Sequence, residues 1–213
     1  MANQLSGGYG LRPIGKVGGN VNNNATTQYE IANDYTTAIY NGGIVCPASS
    51  GTIIISDQAI SPLGVLAGVE YVDSNTKKTT FLNYWPGSNS VSVDTNHPVK
   101  AFVADNPNQL FKVASDASLT DKATAQAAVF ANASLGTSAR SGSSDNGSST
   151  SALGVSTINT TATLPLRIVG IMDDAGNSDY TAAGIPLIVR LNAHFNAPTS
   201  RFDSQTTATS TGI

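Results

Sequence analysis

The stretch Ile185-Pro-Leu-Ile-Val-Arg-Leu-Asn-Ala-His-Phe195 decides the fold. Leu187, Val189, Leu191, Ala193 and Phe195 fall on one face of an extended chain, and Arg190, Asn192 and His194 fall on the other. A period of two marks a strand with one face on a core, because successive side chains of a strand point to opposite faces. A second run, Leu164 to Met172, reads the same way and supplies a neighbour for it.

Working back toward the N-terminus, short apolar runs recur about every ten residues: Tyr29 to Ile31, Thr37 to Tyr40, Ile44 to Cys46, Thr52 to Ile55, Gly64 to Tyr71, Thr79 to Tyr84 and Val99 to Ala104. Asn41-Gly42-Gly43 can supply the positive φ values of a hairpin turn, and Asp73-Ser-Asn75 and Asp105-Asn-Pro107 suit type I turns. The expectation is a mostly β protein, an antiparallel β-barrel or sandwich. One short helix is expected between Leu119 and Ala133, where alanine is frequent and Thr120 could cap.

Composition agrees with this reading. Charged residues make up 12% of the 213-residue chain and hydrophobic residues 40%. Only Glu30 and Glu70 are glutamates, so long solvated helices are not expected. Thr, Asn, Ser and Gly fill the polar positions instead, and these residues favour strands, turns and loops.

Both ends read differently from the middle. Residues 1–27 are glycine-rich with isolated Leu11, Pro13, Ile14 and Val17, which reads as an extended N-terminal arm. So little apolar surface does not offset the ordering entropy of the segment, so the arm should order only against its own domain or a neighbour. Residues 28–196 form the expected β domain, with a Ser-, Gly- and Thr-rich surface excursion at about 134–163. Residues 197–213, with Phe202 as their large apolar anchor, read as a flexible C-terminal tail.

No residues call for catalysis, a cofactor or a metal. His97 precedes a proline and His194 alternates with core positions, neither near a G-x-S-x-G turn. Asp173, Asp174, Asn177 and Asp179 lack the glycine and closing glutamate of a calcium loop. Cys46, with Ile44 and Val45 before it, reads as a small buried thiol. A net charge of −3 without a Lys/Arg cluster disfavours nucleic acid, and the expectation extends to no membrane span and no secretion signal. Tyr84-Trp85-Pro86 is the densest aromatic group; packed it would be core, exposed it could stack on a sugar.

Several motifs in order resemble one protein family: Gly10-Leu-Arg-Pro-Ile-Gly-Lys16, Tyr29-Glu-Ile31, Ala38-Ile-Tyr-Asn-Gly42, Leu63 to Asp73, Tyr84-Trp-Pro86, Val99 to Pro107, Leu110-Phe-Lys-Val113 and Val189 to His194. In this order and spacing the chain resembles the capsid decoration (cement) and head structural proteins of marine podoviruses and cyanophages. The resemblance spans most of the chain, leaving 134–163 and the tail unmatched. It implies a virion structural protein without catalytic residues, made in the bacterial host cytoplasm and carried on the phage head. Its partners would be the major capsid protein and further copies of itself, with Leu11, Arg12, Pro13 and Ile14 as the contact residues across a seam between capsid subunits. Two other classes compete: a receptor- or carbohydrate-binding module of a virion fibre, using Tyr84 and Trp85, and an enzyme acting on cell-wall polymers, using Glu30 or Glu70.

Overall fold

The computed structural model describes residues 3–5, 7–19, 25–58, 61–136 and 139–197. These contain eleven strands and one short helix. The strands are β1 (Arg12–Lys16), β2 (Thr27–Ile31), β3 (Ile44–Pro47), β4 (Ile53–Ile55), β5 (Gly64–Val72), β6 (Thr79–Leu82), β7 (Val99–Ala104), β8 (Gln109–Ala114), β9 (Asn132–Ala133), β10 (Leu166–Ile171) and β11 (Pro186–Leu191); the helix is α1 (Lys122–Ala127). They form two antiparallel sheets, a mostly β architecture of the sandwich kind. The first has the order β1-β8-β11-β10-β9, and the second β2-β7-β5-β3-β4 with β6 added on β5.

The alternation read at the C-terminal end places β11 at the centre of the first sheet. Leu187, Val189 and Leu191 are buried beside Phe111 and Val113 of β8 and Leu166 and Ile168 of β10. Burying each such aliphatic side chain stabilises the fold by about 1.5–3 kcal/mol relative to exposure. Ile44, Val65 and Ala104 of the second sheet join this same core, which therefore fills the space between the sheets. On their other face, Val45, Leu66, Val69, Val99, Ala101 and Val103 build a second core around the fully buried Trp85.

The turns behave unequally. Asp73 forms a turn as expected, its Oδ1 accepting from the backbone N–H groups of Asn75 and Thr76 between β5 and β6. The Asp105-Asn-Pro107 turn, closed by Gln109 N donating to Asn106 O at 2.9 Å, instead carries the chain from one sheet to the other. Gly42 has φ +86, but Asn41-Gly42-Gly43 joins no hairpin; the Gly42 carbonyl accepts from Leu11 N at 2.8 Å. Thr37 to Tyr40 contributes only a bridge between Ile39 and Trp85.

Three expectations need correction and one is narrowed. The described part of the N-terminal arm orders against its own domain, one of the two outcomes expected: Leu11 is 1% exposed in the first core and β1 pairs with β8. The 134–163 region is likewise not a surface excursion, because Leu135 and Leu153 are buried in that same core. The helix cap is Asp121, whose side chain accepts from Thr124 N at 2.7 Å, while Thr120 has φ +68. Phe195, expected on the core face, is 58% exposed, since Ala193 with φ +49 breaks the alternation after β11. The tail reading of 197–213 lies outside the described residues, apart from Ala197.

Candidate binding surface

Among the described residues, β1 sits at an edge of the first sheet and pairs only with β8. Its register runs Arg12 to Lys112 and Pro13 to Phe111, then slips so that Gly15 faces Leu110 and Ile14 lies in a bulge. Proline offers no N–H and a bulge interrupts the ladder, so this edge is a poor template for another strand. What β1 presents outward is side chains: Ile14 is 36% exposed, and Val17, just past the strand, is 40% exposed.

The backbone beneath them is well anchored. Val17 N donates to Asn108 O and the Gln109 side-chain amide donates to Gly15 O at 2.8 Å. Beside this strand lies a groove of about 210 Å³ between the two sheets. Leu11 and Pro13 form one wall, Val65, Leu66 and Ala67 of β5 with Ala104 another, and Gln109 and Asn41 supply polar groups.

The four residues expected to make contact therefore divide. Leu11 is core. Arg12 turns back into its own molecule, its guanidinium donating to Asn41 Oδ1 and, at 3.2 Å, to Ser148 Oγ, and burial lowers its pKa. Pro13 and Ile14 remain exposed. Val17 joins them as a surface residue. The β5 wall of the groove had no signal in the sequence, since only the tertiary fold brings residues 65–67 beside residue 13.

The aromatic group at 84–86 is mostly internal. Trp85 is fully buried, donates from Nε1 to Tyr35 O at 3.0 Å and meets Tyr71 edge-on at 6.3 Å. Tyr84 stacks on Tyr40 with ring centroids 5.4 Å apart. Gly142 backs the Tyr40 ring so closely that a Cβ there would collide with it.

The titratable residues are dispersed. Asp174 accepts from Asn177 Nδ2 and Gly176 N, and Asp179 accepts from Thr181 Oγ1 and N; these bonds lower the pKa of both carboxyls. Each thus closes its own turn, and no group of three or more His, Cys, Asp or Glu among the described residues could hold a metal. His97 lies at the surface, 3.5 Å from Asp94, whereas His194 is 4% exposed with a pKa pushed down to about 4 by burial. Glu30 and Glu70 flank Lys100 on either side across β2, β7 and β5, with Lys100 Nζ 3.0 Å from Glu70 Oε1. Cys46 is buried, and desolvation pushes its thiol pKa up, so it is held as a thiol. No described helix is long and apolar enough to cross a membrane.

No protein-family model, curated protein or solved structure matches this chain.

Proposed function

We propose that this protein is a virion structural protein that binds the outer surface of a phage capsid and stabilises contacts between major capsid protein subunits, as a decoration or cement protein. One observation carries the reading: Ile14 and Val17 stand exposed on a segment whose backbone is fixed to the body, next to an apolar groove. Apolar side chains held in place lose little entropy on docking, so a small patch of this kind is suited to weak binding repeated many times over a shell. The motif order, which resembles that of head proteins of marine podoviruses and cyanophages, points the same way.

In this reading the contact is made by side chains rather than by strand addition, because Pro13 and the bulge at Ile14 spoil the β1 edge. The glycan-binding alternative loses its central residue, since a buried Trp85 cannot stack on a sugar.

The test is co-sedimentation of the full chain with shells that lack it, beside an Ile14→Asp/Val17→Asp variant. Binding at a fixed ratio to the major capsid protein by the full chain, and loss of pelleting in the variant, supports the reading. If the full chain stays in the supernatant, the decoration reading fails. If the variant binds equally, the contact lies elsewhere on the body.

A further inference from the structure

The five strands of the first sheet carry Arg12, Lys16, Lys112, Arg167 and Arg190, and no aspartate or glutamate. The whole chain has 11 Lys and Arg against 14 Asp and Glu, so nearly half of its cations stand on one sheet and the rest of the molecule is strongly acidic.

The register arranges four of these groups on the face away from the core, while Lys16 pairs with the buried Gln109. One row runs Gly15, Leu110, Arg190, Arg167 and Asn132 across all five strands. The next runs Arg12, Lys112, Ile188 and Gly170. Burial alternates accordingly: Leu110, Lys112, Ile188, Arg190 and Arg167 are half-buried, while the residues between them are buried.

Two arginines stand directly opposite one another in this face, an arrangement that is destabilising in a sheet unless an anion lies nearby. Arg190 Nε is buried and finds no hydrogen-bond acceptor among the described residues, while Arg167 Nε donates to Asn132 Oδ1 at 3.1 Å. At the near end Tyr9 lays its ring 5.7 Å from Lys112 Nζ, and Asp174 lies within electrostatic reach of Lys112.

We propose that this outer face is a docking surface for a carboxylate-rich, partly apolar protein segment, with Arg190, Arg167 and Lys112 as its anion contacts and Leu110 and Ile188 between them. A guanidinium fork matches a carboxylate in a bidentate geometry, and a face that alternates cations with aliphatics fits a partner that does the same. Nucleic acid fits less well. A phosphate backbone has no apolar complement for Leu110 and Ile188.

This surface does not include Ile14 or Val17, so it stands apart from the shell-binding reading. The test uses the full chain with a fluorescently labelled peptide of alternating glutamate and leucine, and with a single-stranded DNA of equal charge, followed by anisotropy at low salt. Saturable binding of the peptide is expected. It should weaken by at least about tenfold in Lys112→Glu and in Arg190→Gln, and change less than about twofold in Lys78→Glu, an exposed lysine elsewhere, and in Ile14→Asp. Thermal unfolding of each variant accompanies the titrations, and Lys112→Glu, at a half-exposed site, keeps the test valid if Arg190→Gln does not fold. Absence of saturable binding, equal weakening by Lys78→Glu, or tighter binding of the DNA would overturn the proposal.

Discussion

Two segments of this protein, one rich in glycine and the other in serine, glycine and threonine, behave differently in the fold. The N-terminal segment up to Gly19 and the 134–163 region are both poor in apolar residues, yet each anchors itself in the same core, through Leu11 in one and Leu135 and Leu153 in the other. The 134–163 region goes further and satisfies its buried hydroxyls internally. Ser149 Oγ donates to Ser151 Oγ at 2.8 Å, and Ser151 Oγ to Ala139 O at 2.9 Å. The N-terminal segment buries Leu11 but leaves Ile14 and Val17 in solvent. One or two well-placed leucines suffice to integrate a polar segment, and apolar residues left outside afterwards are available to a partner.

The largest expected effect tests the shared anchoring. Leu153→Ala should cost about 3–5 kcal/mol, and Leu11→Ala, beside the groove, about 2–4 kcal/mol, in urea unfolding. A cost below about 1 kcal/mol for Leu11→Ala would mean that Leu11 does not anchor the segment and would break the comparison. It follows that deleting residues 1–27 removes a core side chain and a strand, so point variants are the cleaner probe of binding.

Next in size is a pH effect at the end of the C-terminal strand, where the core gives way to solvent. Folded His194 takes a proton only below about 4, because burial and the nearby Arg190 oppose the charge more than Asp105 favours it. The unfolded chain takes it near the ordinary histidine value of about 6.5. The unfolded state therefore binds more protons between these limits, and stability is full above about 6.5 and falls as pH drops toward about 4. The loss is on the order of 3 kcal/mol. His194→Gln should flatten that part of a stability–pH curve measured by denaturant unfolding.

The contact between the two segments gives a smaller effect. Gly8 has φ +69, and a Cβ there would collide with the Thr150 carbonyl. Gly8→Ala should cost about 1–3 kcal/mol, while Gly7→Ala, with open space around it, should be near neutral in thermal unfolding. Equal effects at the two positions would mean that the segments do not touch.

The smallest effect on stability belongs to the residues left outside. Ile14→Asp and Val17→Asp should change unfolding free energy by less than about 0.5 kcal/mol each, while the pair abolishes shell binding. A large stability cost would place these side chains in the fold rather than at its surface.

Much of the sheet structure was readable from local pattern. The runs at Ile44 to Cys46, Gly64 to Tyr71 and Val99 to Ala104 became β3, β5 and β7 within a residue. β8, central to the first sheet, was not among the expected strands, and the turn before Gln109-Leu-Phe-Lys-Val-Ala114 switches sheets rather than closing a hairpin. For the candidate surface, the segment holding Pro13 and Ile14 was found from isolated apolar residues among glycines. Its groove was not, nor was the burial of Leu11, because both depend on β5 and β8 arriving from far along the chain.

The sequence by itself determined that this is a β protein, because a period of two is a property of neighbours along the chain and needs no tertiary partner. It also determined where most strands lie and how few charges the molecule carries. The tertiary structure alone decided which isolated leucines became core, which apolar residues stayed in water, and that four cations from distant segments share one face. Those outcomes depend on strand register and sheet order, which are set by the simultaneous burial of segments up to 180 positions apart, as in the bond from Asn3 to Ala183, and no local pattern encodes them.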